Sequence, residues 1–212
     1  MIADTHIGNA AVKEDRIRSL VRDIAADPHA LVVMIGDLVD AITIHDPKRF
    51  EAHDLASWIT VADLDNLAMA EADHCIEMFK PITDKIIGLL GGNHEMELSR
   101  RSNTALGGYL ATNLGVPYLG DAGAAIRLSF QRQNNGSAHS TTSYNGYLLH
   151  GYGGGRTKGA KENKLSRLLA DNPDVDFCCM AHDHSRLVDE AFQAFYGRSR
   201  LYWRHRVAVM AG

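Results

Sequence analysis

The chain has 212 residues, of which 45% are hydrophobic, and its formal net charge is −4. This size and apolar content predict one globular domain over residues 1–212. The acidic balance excludes a positive field over the whole surface that would attract nucleic acid. The sequence contains no signal-type segment and no apolar run near the ~20 residues of a membrane span, so we expect a soluble, cytoplasmic protein without membrane contact.

The first part of the chain predicts an alternation of helices and buried strands. Residues 11–26 place apolar side chains at a helical period, and residues 31–35 form an apolar run typical of a buried parallel strand. The segment at about 41–80 predicts a helical insertion of two helices, whose acidic side chains, Glu71 among them, we expect in solvent. Residues 86–90 predict the next strand.

The middle of the chain predicts a helix followed by shorter strands. The helix is expected over residues 97–113, and the strands over residues 116–119 and 124–130. Residues 131–145 are rich in Asn, Ser and Thr and predict a polar hairpin loop. A second sheet therefore begins in this part of the chain.

The last part combines two buried strands with two basic segments. Apolar runs at residues 146–149 and 175–181 predict the strands. Between them, Lys161 and Lys164 lie on a helical pattern, and we expect them to face solvent. Residues 198–206 are basic and contain two aromatic residues, which indicates either a strand with its arginines in solvent or a surface that grips nucleic acid.

Five polar clusters follow apolar runs of the chain. They are Asp4-Thr5-His6, Gly36-Asp37-Leu38-Val39-Asp40, Gly91-Gly92-Asn93-His94-Glu95, His150-Gly151 and His182-Asp183-His184. Open α/β folds place their sites at the carboxyl ends of the strands, so we expect the five clusters to form one site there.

The third cluster shows which chemistry these residues support. Its two glycines permit a sharp turn after the strand, and Asn93 offers a carbonyl oxygen to a metal ion. His94 can give or take a proton near neutral pH, and Glu95 could orient its imidazole.

The five clusters, in this order, resemble the motifs of the calcineurin-like metallophosphoesterase superfamily. They correspond to Asp-x-His, Gly-Asp-x-x-Asp, Gly-Asn-His-Glu, His-Gly and His-x-His, and the match covers residues 4–184. The resemblance implies an α/β fold, specifically a four-layer α+β sandwich of two mixed β-sheets packed face to face and flanked by helices. It also implies a dinuclear metal site at the carboxyl edge of the strands and hydrolysis of phosphate esters by a hydroxide that bridges the metals.

The resemblance implies a ligand set for two divalent metal ions. The ligands are Asp4, His6 and His184 for the first ion, Asn93, His150 and His182 for the second, and Asp37 as the bridge. Mixed oxygen and nitrogen donors suit Mn²⁺, which we expect first, and also Fe, Zn²⁺, Ni²⁺ and Co²⁺.

Four further residues receive candidate roles in catalysis or substrate binding. By resemblance, His94 contacts the scissile phosphate and protonates the leaving oxygen, and Asp40 orients His94. The glycine-rich segment after His150 could bring Arg156 and Lys158 against phosphate oxygens, although a plain flexible turn would have the same composition.

Departures from the family pattern bear on the substrate. Ala41 stands where phosphoprotein phosphatases have an arginine that contacts phosphate, which disfavours that branch. Ala181 replaces the usual glycine before the last motif, a small change that should leave both histidines in reach. We therefore expect a phosphodiesterase or a nuclease-like phosphoesterase acting on a phosphate ester, nucleotide or nucleic acid. The alternatives are a phosphomonoesterase or nucleotide hydrolase of the same fold, and a metal-holding module that binds nucleic acid without cleaving it.

Both ends of the chain are short by comparison with the family pattern. Only three residues precede Asp4, where the family has a full strand, and residues 207–212 predict a strand with nothing after it. We expect the natural chain to extend beyond residues 1 and 212.

Overall fold

The structure, a computed structural model, describes residues 1–132, 140–155 and 157–211. Two compact units, Met1–Ala122 and Gly123–Gly212, each contain one β-sheet. The α/β class and the presence of two sheets are thereby confirmed. Within the described ranges, no helix has the length and apolar character needed to cross a membrane.

The first unit contains a pair of parallel strands and four α-helices. The strands are β1 (Val32–Ile35) and β2 (Ile86–Leu90), and the helices are α1 (Glu14–Ala26), α2 (Leu67–Phe79), α3 (Asn93–Ser102) and α4 (Leu106–Leu114). Ile2 forms one parallel bridge to Met34 of β1, so the residues before Asp4 run beside this strand. Apolar side chains of β1, β2 and all four helices form a single buried cluster.

Several predicted elements of the first unit differ from the observed ones. The insertion contains one α-helix, α2, preceded by the short 3-10 helices Ala52–Asp54 and Val61–Asn66, where two helices were expected. The single helix expected over residues 97–113 is split into α3 and α4, because the backbone turns left-handed at Asn103. The strand expected at residues 116–119 is reduced to one bridge.

The second unit contains a five-stranded mixed sheet and one α-helix among its described residues. The elements are β3 (Ala124–Arg132), β4 (Ser140–Leu149), α5 (Lys158–Asp171), β5 (Phe177–Met180), β6 (Leu187–Tyr196) and β7 (Leu201–Met210). The strand order is β3-β4-β5-β7-β6, in which β4, β5 and β7 are parallel and both edge strands are antiparallel. Helix α5 packs Leu165, Leu168 and Leu169 against β5 and β7.

The predicted hairpin loop at residues 131–145 is wrong at both of its ends. Residues 131–132 continue β3, and residues 140–145 form the first part of β4, whereas the centre of the predicted loop lies outside the described residues. Polar side chains suit these strands because one strand of the pair, β3, is the edge of the sheet.

The solvent-facing interpretation of residues 198–206 is wrong for Arg206. Its side chain is buried and donates to the carbonyl oxygens of Leu169 and Val175, each at 2.8 Å. Arg204 forms an ion pair of 2.6 Å with Asp176. These two arginines therefore stabilise the connection between α5 and β5.

Candidate metal centre and catalytic residues

The first two polar clusters lie side by side beyond the carboxyl end of β1. The amide N–H of Asp4 donates to the backbone carbonyl oxygen of Gly36, and the N–H of His6 donates to the backbone carbonyl oxygen of Asp37, each at 3.1 Å. The N–H of Asp40 in turn donates to the backbone carbonyl oxygen of Ile7 at 3.0 Å. This ladder fixes the carboxylates of the second cluster beside the imidazole of the first.

The third cluster touches the second at two glycines. A Cβ atom on Gly36, whose φ is +71°, would overlap the backbone of Gly92, and a Cβ on Gly92 would overlap Asp37. Glycine at both positions therefore permits the close approach. The approach brings the N–H of His94 to a carboxylate oxygen of Asp37 at 2.9 Å.

Glu95 holds the loop after β1, and it does not orient His94 as the sequence indicated. Its carboxylate accepts hydrogen bonds from the N–H groups of Leu38 (2.8 Å), Asp37 (3.0 Å) and Gly92 (2.8 Å). Glu95 is 1% exposed, and burial, assisted by the nearby charge of Asp37, raises the pKa of its carboxyl. Its role is thus to satisfy buried backbone donors of both loops.

Asp40 supplies the hydrogen-bond partner of the His94 imidazole. Its backbone carbonyl oxygen is the hydrogen-bond partner of His94 Nδ1. Its carboxylate lies 3.8 Å from the same nitrogen and 3.6 Å from Nδ1 of His6. A carbonyl only accepts, so Nδ1 of His94 carries the proton and Nε2 remains for chemistry. The proposed orienting role of Asp40 thus has a geometric basis in its main chain.

The first unit supplies donors that fit a divalent cation. His6 and Asp37 each offer one ligand atom, and these two atoms and an imidazole nitrogen of His94 lie within 4.8 Å of one another. Burial lowers the pKa of His6, but the hydrogen bond to Asp40 and the charges of Asp37, Asp40 and Asp4 outweigh it and raise the pKa. The cluster therefore carries an excess of negative charge that a cation would neutralise, and its carboxylate and imidazole donors suit Mn²⁺ and its neighbours.

The backbone of the candidate ligands is strained. Seven non-glycine residues in the described part of the chain have a positive φ, and five of them are candidate ligands. These five are Asp4 (+51°), His6 (+42°), Asp37 (+48°), His182 (+73°) and His184 (+44°). Left-handed backbone costs energy and concentrates at functional sites, where the surrounding structure holds it. In each unit, this concentration supports a functional role for the loops that carry these residues, independently of their side chains.

The second unit brings together the histidines of the last two clusters. His150 follows β4, and His182 and His184 follow the neighbouring strand β5. The rings of His150 and His182 are 5.4 Å apart and meet edge to face. Ala181, which replaces the usual glycine, is not among the residues with left-handed backbone, so its methyl group adds no strain.

Two lysines of α5 hold this pair of loops, although the sequence indicated that they face solvent. Lys164 Nζ donates to the buried carboxylate of Asp183 at 2.7 Å and to the carbonyl oxygen of Gly153 at 3.0 Å. Lys161 Nζ donates to the carbonyl oxygen of Asp183 at 2.7 Å. The lysines therefore connect the glycine-rich segment to the loop that carries His182 and His184.

Of the two residues expected to bind substrate, the structure describes one, Lys158. Arg156 lies outside the described residues. Lys158 begins α5, is exposed and lies 3.5 Å from Glu162. Its contact with substrate stays a prediction.

Glu71 is a buried carboxylate beside the site, although the sequence indicated a solvated side chain. It lies on α2 and accepts a hydrogen bond of 2.7 Å from the N–H of Ala41. The sequence signal was its position, because Glu71 shares the apolar face of α2 with Ala68, Ala72 and Cys75.

A cavity of about 400 Å³ begins next to the second and third clusters. Ala41 lines it on one side, and Leu98, one helical turn after His94, lines it on another. Arg49 and Arg101 also border the cavity, and both are ion-paired with Asp46. The cavity has room for an organic group, and neither His94 nor a candidate ligand is among the described residues that line it.

Comparison with known protein families identifies the family of this chain. The family model described as calcineurin-like phosphoesterase matches residues 1–186, which include every cluster described above. A search of curated proteins finds none that matches the chain. Since the family model covers most of the chain, this protein belongs to the calcineurin-like phosphoesterase family.

Proposed function

We propose that the protein is a metal-dependent phosphodiesterase or nuclease-like phosphoesterase. The proposal depends on the position of the His94 imidazole. Asp40 holds this ring through Nδ1, and the ring lies among the carboxylates of the first unit. Membership of the family implies metal-dependent hydrolysis of phosphate esters. The preference for a diester is our own inference.

We assign the metal ligands as the family pattern implies. They are Asp4, His6 and His184 for one ion, Asn93, His150 and His182 for the other, and Asp37 as the bridge. When bound, two divalent cations would neutralise the phosphoryl oxygens and supply hydroxide near neutral pH. The excess negative charge around His6 and the strained backbone of five of these residues support the assignment.

His94 serves as the acid for the leaving group. When the bond from phosphorus to the leaving oxygen breaks, that oxygen takes a proton from Nε2 of His94 while a new phosphorus–oxygen bond forms on the opposite side. Nδ1 keeps its proton because it donates a hydrogen bond to the carbonyl oxygen of Asp40 throughout. Asp40 thus holds the ring in one orientation during the transfer.

Two features favour a diester over a monoester. Ala41 supplies no guanidinium for the extra charge of a terminal phosphate, and the nearby guanidinium groups of Arg49 and Arg101 are already ion-paired with Asp46. The cavity beside Ala41 and Leu98 can hold the organic group that a diester carries.

The test compares metal-free and Mn²⁺-loaded protein on bis-p-nitrophenyl phosphate and p-nitrophenyl phosphate. We expect turnover only with metal and a higher kcat/KM for the diester, measured from the release of p-nitrophenolate. Faster hydrolysis of the monoester would favour the phosphomonoesterase alternative. Absence of hydrolysis together with salt-sensitive binding of nucleic acid would favour the non-catalytic module.

A further inference from the structure

One peptide group connects a buried carboxyl to the candidate catalytic imidazole. The peptide between Asp40 and Ala41 presents its carbonyl oxygen to Nδ1 of His94 and its N–H to Glu71 at 2.7 Å. Glu71 is 1% exposed and belongs to α2, which carries none of the candidate ligands. Glu71 and His94 therefore form hydrogen bonds at opposite edges of a single planar peptide group.

The conformation of this peptide needs an external support. Ala41 has a φ of +52°, a left-handed backbone that an alanine adopts only at a cost. The hydrogen bond to Glu71 fixes the direction of the N–H and hence of the carbonyl on the other side of the plane. Without that bond, the plane could rotate and the carbonyl would turn away from His94.

The carboxyl group of Glu71 fits against the first cluster because Gly8 has no side chain. A Cβ atom on Gly8 would overlap the carboxyl group of Glu71. Gly8 has a φ of +110°, so glycine is required there for the backbone as well as for the space. Glu71 is thus packed between the loop of the first cluster and the end of the second.

We propose that Glu71 is a positioning residue for the reaction of His94. By holding the Asp40–Ala41 peptide, Glu71 keeps the carbonyl of Asp40 on Nδ1 of His94 and aims Nε2 at the leaving oxygen. The proposal rests on the function proposed above, in which His94 protonates that oxygen. Hydrogen bonds in a chain polarise one another, so the bond to Glu71 also strengthens the acceptor that His94 uses.

A pair of substitutions separates this role from simple packing. Glu71→Ala removes the acceptor, whereas Glu71→Gln keeps an oxygen for the Ala41 N–H. Burial, reinforced by the charge of Asp40 and opposed by the Ala41 hydrogen bond, raises the pKa of Glu71 to about 8, so a neutral amide resembles its form at pH 7. Glu77→Ala is the matched control, because Glu77 lies on the same helix, is exposed and contacts only Lys80 among the interactions described for it.

The kinetic arm uses two diesters that differ in their need for an acid. A p-nitrophenolate group leaves without much protonation, whereas an alkyl alcohol must receive a proton. We expect Glu71→Ala to lower kcat by roughly 10- to 100-fold for the alkyl diester and by less than about 3-fold for the p-nitrophenyl diester, with KM unchanged. Glu71→Gln should stay within about 3-fold of wild type on both.

The spectroscopic arm uses the metal-free protein and needs no turnover. In wild type and Glu71→Gln, we expect slow hydrogen exchange at the Ala41 amide and an observable Nδ1–H resonance of His94. Glu71→Ala should accelerate the exchange and weaken the resonance, while Glu77→Ala should change neither. Circular dichroism and the midpoint of thermal unfolding confirm that each variant is folded.

The two arms distinguish the possible failures. Equal loss on both diesters, or an unchanged Nδ1–H resonance in folded Glu71→Ala, would overturn the positioning role. If wild type hydrolyses neither diester, the proposed function fails, and the spectroscopic arm still decides whether Glu71 positions His94.

Discussion

Replacing His94 by alanine is expected to lower kcat for diester hydrolysis by about 10²- to 10⁴-fold. The variant loses the proton donor for the leaving oxygen but keeps the backbone N–H that binds Asp37. The loop geometry should therefore survive, and KM should change little. Steady-state kinetics of the Mn²⁺-loaded protein on an alkyl diester measures the effect.

A matched control lies on the same helix. Arg100→Ala removes an exposed side chain of α3 whose described ion pair, with Glu97 at 3.9 Å, is a weak one. It should leave kcat within about 2-fold of wild type. A His94→Ala variant that is folded and retains wild-type kcat would remove His94 from the mechanism.

Replacing Glu95 by alanine is expected to lower the free energy of unfolding by at least about 3 kcal/mol. The substitution leaves the N–H groups of Asp37, Leu38 and Gly92 without their acceptor, and each buried unsatisfied donor costs about 1 kcal/mol or more. Both loops around Asp37 should loosen, so Mn²⁺ affinity should fall as well. Urea unfolding of the metal-free protein measures the loss in stability.

Glu97→Ala provides the comparison for a carboxylate on the same helix. Glu97 is partly exposed and pairs with Arg101 at 2.7 Å, so its removal should lower the free energy of unfolding far less than the removal of Glu95. Equal destabilisation by the two substitutions would show that the hydrogen bonds of Glu95 contribute no more than an ion pair near the surface.

The positions of the polar clusters could be predicted because the relevant pattern is local. Asp37 follows β1 after one glycine, and His150 directly follows β4, as the apolar runs before them indicated. A buried strand that ends in polar residues is visible within a few positions of sequence. The roles of these residues as ligands stay predictions that the family resemblance supports.

The supporting residues could not be predicted because tertiary contacts decide their environment. Glu71, Lys164 and Arg206 each occur in patterns typical of solvated charge, yet their partners are backbone or side-chain groups 11 or more positions away in sequence. Glu71 is the exception, because the sequence itself shows that this residue interrupts the apolar face of α2. The left-handed backbone of the candidate ligands has only a weak sequence signal, because Asp and His are enriched in this conformation and yet most Asp and His residues do not adopt it.

Anomalous diffraction at the manganese absorption edge, from crystals grown with Mn²⁺, would test the account most directly. We predict two manganese peaks per chain about 3.5–4 Å apart, with the carboxylate of Asp37 bound to both. An Asp37→Ala crystal grown in the same way should lose at least one of the peaks. A wild-type map without manganese at Asp37, under saturating metal, would contradict the dinuclear site.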